Sequence, residues 1–175
     1  MAVTIKQTEA APASWPVVLD LSTAAAALDS GALWQRIEAY TAHRWTARDV
    51  VWIVEGPGEW EPPLTPATVS SVEIWDGAAW IAATPDASWC GYDLTLEGPY
   101  RITASVGGGD VPAAVSEAFR RLAEYLAGSI APAGVTSYSM DLGQIKESME
   151  ISAAATARAM QNSGAADLLR PYRRA

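Results

Sequence analysis

The sequence predicts an α+β protein, with helices packed around a small antiparallel β-sheet and with a C-terminal helix and extended tail. Three observations carry this. Leu33, Ile37 and Tyr40 recur at i, i+4 and i+7, one face of a helix. Between Val50 and Val106 the apolar residues instead alternate with polar ones, and glycine and proline punctuate them. After Gly109 the helical period returns at Val115, Phe119, Leu122 and Leu126. Strands grouped in sequence and flanked by helices read as α+β rather than alternating α/β.

Residues 1–14 read as a flexible leader. Asp20, Leu21, Ser22 and Thr23 supply N-cap chemistry for a short alanine-rich helix that runs to Leu28. Asp29, Ser30 and Gly31 break it, and Ser30 caps a second helix whose apolar face Trp34 extends. Val50, Val51, Trp52, Ile53 and Val54 form a buried-strand run that Gly56-Pro57-Gly58 ends. Pro62, Pro63 and Pro66 keep the next stretch extended or turned. Val72 and Ile74 alternate with polar neighbours, Asp76-Gly77 is a favoured hairpin dipeptide, and Trp80-Ile81 lie on the return strand.

Tyr92, Leu94 and Leu96 alternate again, Gly98-Pro99 turns the chain, and Tyr100, Ile102, Ala104 and Val106 make a fourth strand. Gly107, Gly108 and Gly109 close the β section. Asp110 caps the next helix, with Pro112 tolerated in its first turn, and Gly128 ends it. Residues 132–139 read as a linker. From Asp141 to about Asn162 the alanine-rich chain favours a helix, with Ile145, Met149 and Ser152 on one weakly apolar face that needs a partner. Ser163-Gly164 releases the chain into the tail. The expected division is a leader over 1–14, an α+β core over 15–130, and a linker, helix and tail over 131–175, with no internal repeat.

Composition narrows the function. At 175 residues and 50% hydrophobic, the chain has material for a real core. No apolar run reaches the ~18 residues of a membrane span. The first residues lack the basic-then-apolar order of a secretory signal. Cys90 is the only cysteine, so no internal disulfide forms, and a reducing cytoplasm is the default setting. One Cys and one His cannot supply the roughly four ligands of a structural zinc. Against a net charge of -8, the stretch from Asp49 to Tyr100 holds no Lys or Arg, only Asp49, Glu55, Glu59, Glu61, Glu73, Asp76, Asp86, Asp93 and Glu97. That is the reverse of a DNA-reading stripe. It suits a passage that must not grip DNA, or simply a solvated face, which on its own is the commoner meaning.

No catalytic constellation rises above background. The 8 tryptophans all lie between Trp15 and Trp89. Exposed rings stack on sugars or bases, but most tryptophans are core or interface residues. His43 has no second histidine or paired nucleophile in the sequence, and a small hydrolase built on it would need a carboxylate partner. Cys90, between Trp89 and Gly91, reads as a small buried hydrophobe. Glu59 and Glu61 carry no glycosidase signature. Gly107, Gly108 and Gly109 are followed by no Lys-Ser/Thr pair, so the phosphate-loop pattern fails. No catalytic, cofactor-binding or metal residue is expected, and no enzyme activity.

The last residues are the most informative. Leu168, Leu169, Arg170, Pro171, Tyr172, Arg173, Arg174 and Ala175 set apolar anchors among three guanidinium groups in an otherwise acidic chain. Termini are usually polar unless tied down, and binding hot spots favour these residue types. The segment either folds back on its own acidic body or docks into another protein.

The segments in order are "PLTPATVSSVEIWDG", "YDLTLEGPYRITASVGGGDVPAAVSEAFRRLAEYLAG" and the terminal "LLRPYRRA". In this order they resemble the head–tail connector, or adaptor, proteins of long-tailed double-stranded DNA phages and phage-like gene transfer agents. The matching positions are the Pro66-to-Ile74 strand, Tyr92 and Leu94, then Val111, Pro112 and Val115, and finally Leu168, Leu169, Pro171, Tyr172 and Arg173. The likeness covers most of the chain after about Ser14. It departs in the first helix, which is alanine-rich and neutral where the family is often basic, and in the linker at 132–139.

The resemblance implies a non-enzymatic structural protein that joins the capsid portal to the tail and extends the DNA channel. It implies a ring of about twelve copies, closed by rotation. Leu168, Leu169, Arg170, Pro171, Tyr172, Arg173 and Arg174 would contact the portal, and a downstream tail or stopper component would be met on the other side. Double-stranded DNA would only pass through, with no cofactor and no membrane. The protein would be made in the bacterial cytoplasm and reside in the neck of the particle. The alternative from composition alone is a tryptophan-rich carbohydrate- or ligand-binding module.

Overall fold

A computed structural model describes residues 2–129, 137–142, 145–150 and 158–174. Helices and a six-stranded antiparallel sheet make it an α+β protein. The chain divides into two compact units, each built from two separate segments. Met1–Pro16 joins Ala42–Asp110, and Val17–Thr41 joins Val111–Ala175. The division therefore runs through the expected 15–130 core. The first unit takes a strand from the N-terminus, and the second takes helices from both ends of the chain.

The first unit is the sheet. Its strands are β1 (Val3–Glu9), β2 (Arg48–Trp60), β3 (Ala67–Trp75), β4 (Trp80–Ala82), β5 (Asp86–Ala87) and β6 (Tyr92–Val106). They run in the order β1-β2-β6-β3-β4, with β5 also paired to β6. Period-2 alternation turns Val50, Trp52 and Val54 of β2 and Tyr100, Ile102, Ala104 and Val106 of β6 into one buried face. Trp60, Leu64, Val72 and Leu94 complete that core.

The expected flexible leader is instead an edge strand. β1 pairs with β2 from Val3 opposite Glu55 to Glu9 opposite Val50. Side chains fix it as well as backbone. Trp60 donates its indole N–H to Thr4 Oγ1 at 2.8 Å, and Trp52 donates to Gln7 Oε1 at 2.8 Å. Buried indoles need acceptors, and the first residues supply them.

Two expected breaks are irregularities inside long strands. β2 continues through Gly56, Pro57 and Gly58, and β6 continues through Gly98 and Pro99. Gly56 lies opposite Gly98, and Gly58 opposite Leu94, so Pro57 faces a loop-out of Thr95, Leu96 and Glu97. Both strands absorb their punctuation at the same place, as a bulge. The Asp76-Gly77 hairpin forms as expected. Trp75 pairs with Trp80, and Asp76 Oδ1 accepts from Ala78 N–H and Ala79 N–H at 2.8 and 2.7 Å.

The second unit holds the helices. It contains α1 (Thr23–Ala26), α2 (Ser30–Thr41), α3 (Ala113–Ser129), α4 (Ala159–Asn162), α5 (Ala165–Leu169) and a 3-10 turn, Arg170–Tyr172. Ser22 caps α1, accepting from Ala25 N–H. Asp29, rather than Ser30, caps α2, its Oδ1 accepting from Gly31 and Ala32 N–H at 2.8 and 3.3 Å. An ionised carboxylate is the stronger acceptor at a helix start. α3 begins at Ala113 because the Pro112 carbonyl takes the Val115 and Ser116 N–H groups, so Asp110 stands outside the first turn. The stripe Val115, Phe119, Leu122 and Leu126 is buried as its period requires, and Phe119 lies 4.9 Å from the Trp34 ring.

The helix expected from Asp141 to Asn162 is a correction. Ser137–Leu142 and Ile145–Glu150 form an antiparallel hairpin, β7 and β8, placing Tyr138 opposite Met149 and Leu142 opposite Ile145. Tyr138, Met140 and Leu142 alternate with polar residues, and that period outweighs the alanine content farther along. Residues 143–144 and 151–157, Ser152 among them, lie outside the described residues, and among the described residues of this stretch helix appears at Ala159–Asn162. Of the expected linker, 132–136 lie outside the described residues and Ser137–Ser139 belong to β7.

Candidate functional site

The C-terminal segment is folded, not extended. Asn162 and Ser163 end α4, Gly164 turns the chain at φ 73°, and Ala165 N–H bonds Ser163 Oγ at 3.3 Å to start α5. Ala165 and Leu169 are fully buried in the helical unit. Asn162 Nδ2 donates to the Tyr125 hydroxyl at 3.0 Å, tying the turn to α3.

Leu169 is therefore a core residue, and Leu168, Tyr172 and Arg174 are half-buried, while Arg170, Pro171 and Arg173 are exposed. Of the two readings of this tail, the folded-back one describes its leucine anchor. The exposed cations remain as the contact candidates. The Arg173 guanidinium lies 5.4 Å over the Tyr40 ring, and Arg174 N–H donates to the Thr41 carbonyl at 3.2 Å. α2 thus meets the Arg173 guanidinium and the Arg174 backbone. No sequence signal linked Tyr40 to the tail, since the two lie more than a hundred residues apart. Beside them is a pocket of ≈ 280 Å³ lined by Tyr40, Gln161, Gly164, Ala166, Asp167 and Arg170.

The sheet unit carries the acidic stretch and most of the chain's net negative charge. Its arginines are engaged. Arg44 and Arg48 both bind Glu9, at 2.6 and 3.1 Å, and Arg101 grips Glu73 at 2.6 and 2.8 Å while lying over Trp80. Burial pushes the Glu9 carboxyl up, but the hydrogen bond and charge of Arg44 and the nearby Arg48 outweigh it and hold it below the usual carboxylate range. At the far end of the sheet, Glu59 of β2 and Asp86 of β5 both lie opposite Asp93 of β6. Opposed residues share a face, so three carboxylates stand in a row.

Trp34, Trp45, Trp52 and Trp60 are buried, Trp15 and Trp80 are half-buried, and Trp75 and Trp89 are exposed, Trp89 at 98%. Cys90 is exposed, not buried, with Sγ 3.7 Å from Glu59 Oε1. The reason is Gly91. A Cβ there would stand 2.2 Å from the Trp60 carbonyl oxygen, so the backbone lies flat on β2 and its neighbours turn outward. His43 is half-buried and stacked at 3.9 Å on Trp45, and burial, then the charge of Arg44, lower its pKa. That is a ring-packing environment. Gly107, Gly108 and Gly109 all have positive φ, and Gly107 packs against the Thr46 carbonyl, which fits a strand-to-helix turn. Among the described residues, no group of three or more His, Cys, Asp or Glu is placed to hold a metal, and no helix is long and apolar enough to cross a membrane.

These features define an α+β protein with an arginine-bearing turn on its helical unit and an acidic, tryptophan-tipped end on its sheet unit. No family model, curated protein or solved structure matches the chain.

Proposed function

We propose that the protein is a non-enzymatic structural adaptor that joins a capsid portal to a tail, assembled as a ring that extends the DNA channel. The observation that carries this is the C-terminal turn. Leu169 anchors it in the helical core while Arg170, Pro171 and Arg173 stand exposed. An ordered turn that presents guanidinium groups loses little entropy on docking, and identical turns on one ring act multivalently. The order of motifs that resembles head–tail connectors supports the same reading. The acidic sheet unit suits a neighbour of moving DNA, because like charge prevents gripping. The downstream tail component would be a further partner, and the neck of a phage or phage-like particle the location.

The test mixes the purified protein with a portal ring from the same gene neighbourhood and follows association by mass photometry. Arg173→Glu, at an exposed position, should abolish portal binding while circular dichroism stays unchanged. A variant that binds the portal like wild type sinks the reading. Deleting residues from Leu168 onward is the poorer test, because it removes a core leucine.

A second reading is favoured by one observation, the 98% exposure of Trp89. A carbohydrate-binding module would show ligand-dependent quenching of that ring in the monomer. A glycan panel that leaves emission unchanged removes it.

A further inference from the structure

A fully exposed tryptophan held on an ordered turn needs a reason. Ser88 N–H donates to the Gly91 carbonyl at 2.9 Å, and Gly91 N–H donates to Ser88 Oγ at 3.1 Å, closing the turn that carries Trp89 from β5 to β6. Gly91 lies against the Trp60 backbone and fixes the turn to the sheet. Beside it stands the carboxylate row of Glu59, Asp93 and Asp86, all exposed. Like charges directly opposed on a sheet are mutually destabilising, and a cationic surface set against them relieves that repulsion. An apolar ring rimmed by uncompensated carboxylates fits a concave site rimmed by arginine.

The helical unit has a cleft with one arginine, Arg170, at its edge beside Asp167. Its pocket of ≈ 280 Å³ is walled by Tyr40, Gly164 and Ala166 and edged by Gln161, Asp167 and Arg170. An enclosed cavity of about 150 Å³ admits a benzene ring, so this open cleft has the volume for an indole. Gln161 and Asp167 offer acceptors for the indole N–H, which a buried tryptophan requires. Arg170 offers a guanidinium for the ring face, and tryptophan is the best ring for that contact.

We propose that Trp89 of one copy seats in the Tyr40–Arg170 pocket of a second copy of this chain, with the Glu59–Asp93–Asp86 row facing the second copy's Arg170. Knob and pocket are different surfaces of one chain, so the contact is heterologous and repeats from copy to copy until it closes or propagates. Its place within a ring rests on the adaptor reading, whereas the contact itself rests on Trp89 and the pocket.

Sedimentation velocity over a concentration series tests this. Wild type should self-associate, with Trp89 emission moving to shorter wavelength. Trp89→Ala should weaken association at least tenfold. Ala166→Trp, which fills the pocket, should do the same. If that variant misfolds by circular dichroism, Gln161→Trp on the exposed side of α4 replaces it. An equimolar mixture of the knob-less and pocket-filled variants keeps one competent junction, so it should form heterodimers and nothing larger. A wild type that stays monomeric at its highest soluble concentration overturns the proposal, as does a Trp89→Ala protein that associates normally or a folded mixture that stays monomeric. Portal binding is read on the same samples. A wild type that self-associates through Trp89 yet ignores the portal supports the contact and sinks only the adaptor reading.

Discussion

The Tyr100 hydroxyl folds back onto the backbone of Leu96, accepting its N–H at 2.9 Å and donating to its carbonyl at 3.3 Å. One buried side chain thereby satisfies both polar groups of a residue that the bulge takes out of the β2–β6 register. The same ring packs over Gly56, where a Cβ would meet it at 2.8 Å.

Tyr100→Phe keeps the ring and removes the hydroxyl. Leu96 is then left to find water, and the loss should be about 1 kcal/mol. Urea unfolding checks it. Gly56→Ala should cost more, because the added methyl collides with both the Leu96 carbonyl and the Tyr100 ring. Equal stability in all three proteins would mean the bulge is not held by this contact.

Leu169→Ala should destabilise the helical unit by about 2–5 kcal/mol, the usual range for emptying a fully buried leucine site. Pro171→Ala, at an exposed position, should leave thermal unfolding nearly unchanged. A variant pair with equal melting temperatures would contradict the burial of Leu169.

The Glu9 ion pairs make stability depend on pH. Burial alone raises the carboxyl's pKa, but Arg44 and Arg48 lower it below the unfolded value. A lowered folded pKa means stability that is present above the ordinary carboxylate range and lost as pH falls through the folded value. Glu9→Gln should therefore destabilise at neutral pH, where it removes the carboxylate charge paired with the buried Arg48 guanidinium, and the gap to wild type should narrow in acid. Denaturation curves at both pH values decide it. A gap that widens in acid contradicts the pairing.

Asp29→Ala removes the carboxylate that caps α2 and should cost about 1 kcal/mol, whereas Ser30→Ala should cost less. Thermal melts followed at 222 nm compare the two. The reverse order would restore Ser30 as the cap.

The sequence alone carried the α+β class, the α3 stripe, the Asp76-Gly77 hairpin and the alternation of Val50 to Val54 and Tyr100 to Val106. Those signals are local: a period, or a turn residue whose backbone preference acts over a few positions. It also carried the arginine-bearing terminus as the segment to watch. The strand at Val3–Glu9 escaped because its justification lies in Trp52 and Trp60, whose indoles need acceptors from far away in the chain. Gly56-Pro57 and Gly98-Pro99 looked like two chain breaks. They are two halves of one bulge, visible only once Gly56 is set opposite Gly98.

Tertiary structure also decided which tail residues serve the core. Leu168 and Leu169 look alike in sequence, but the turn at Gly164 buries the second fully and the first only in part. Tyr40 joined the site because α2 lies beneath Arg173 and Arg174. Hydrophobic period and turn chemistry are properties of neighbouring residues, so a sequence displays them directly. Burial, register and the pairing of distant charges belong to the packed chain, because each depends on which surfaces meet once the entropy of folding has been overcome.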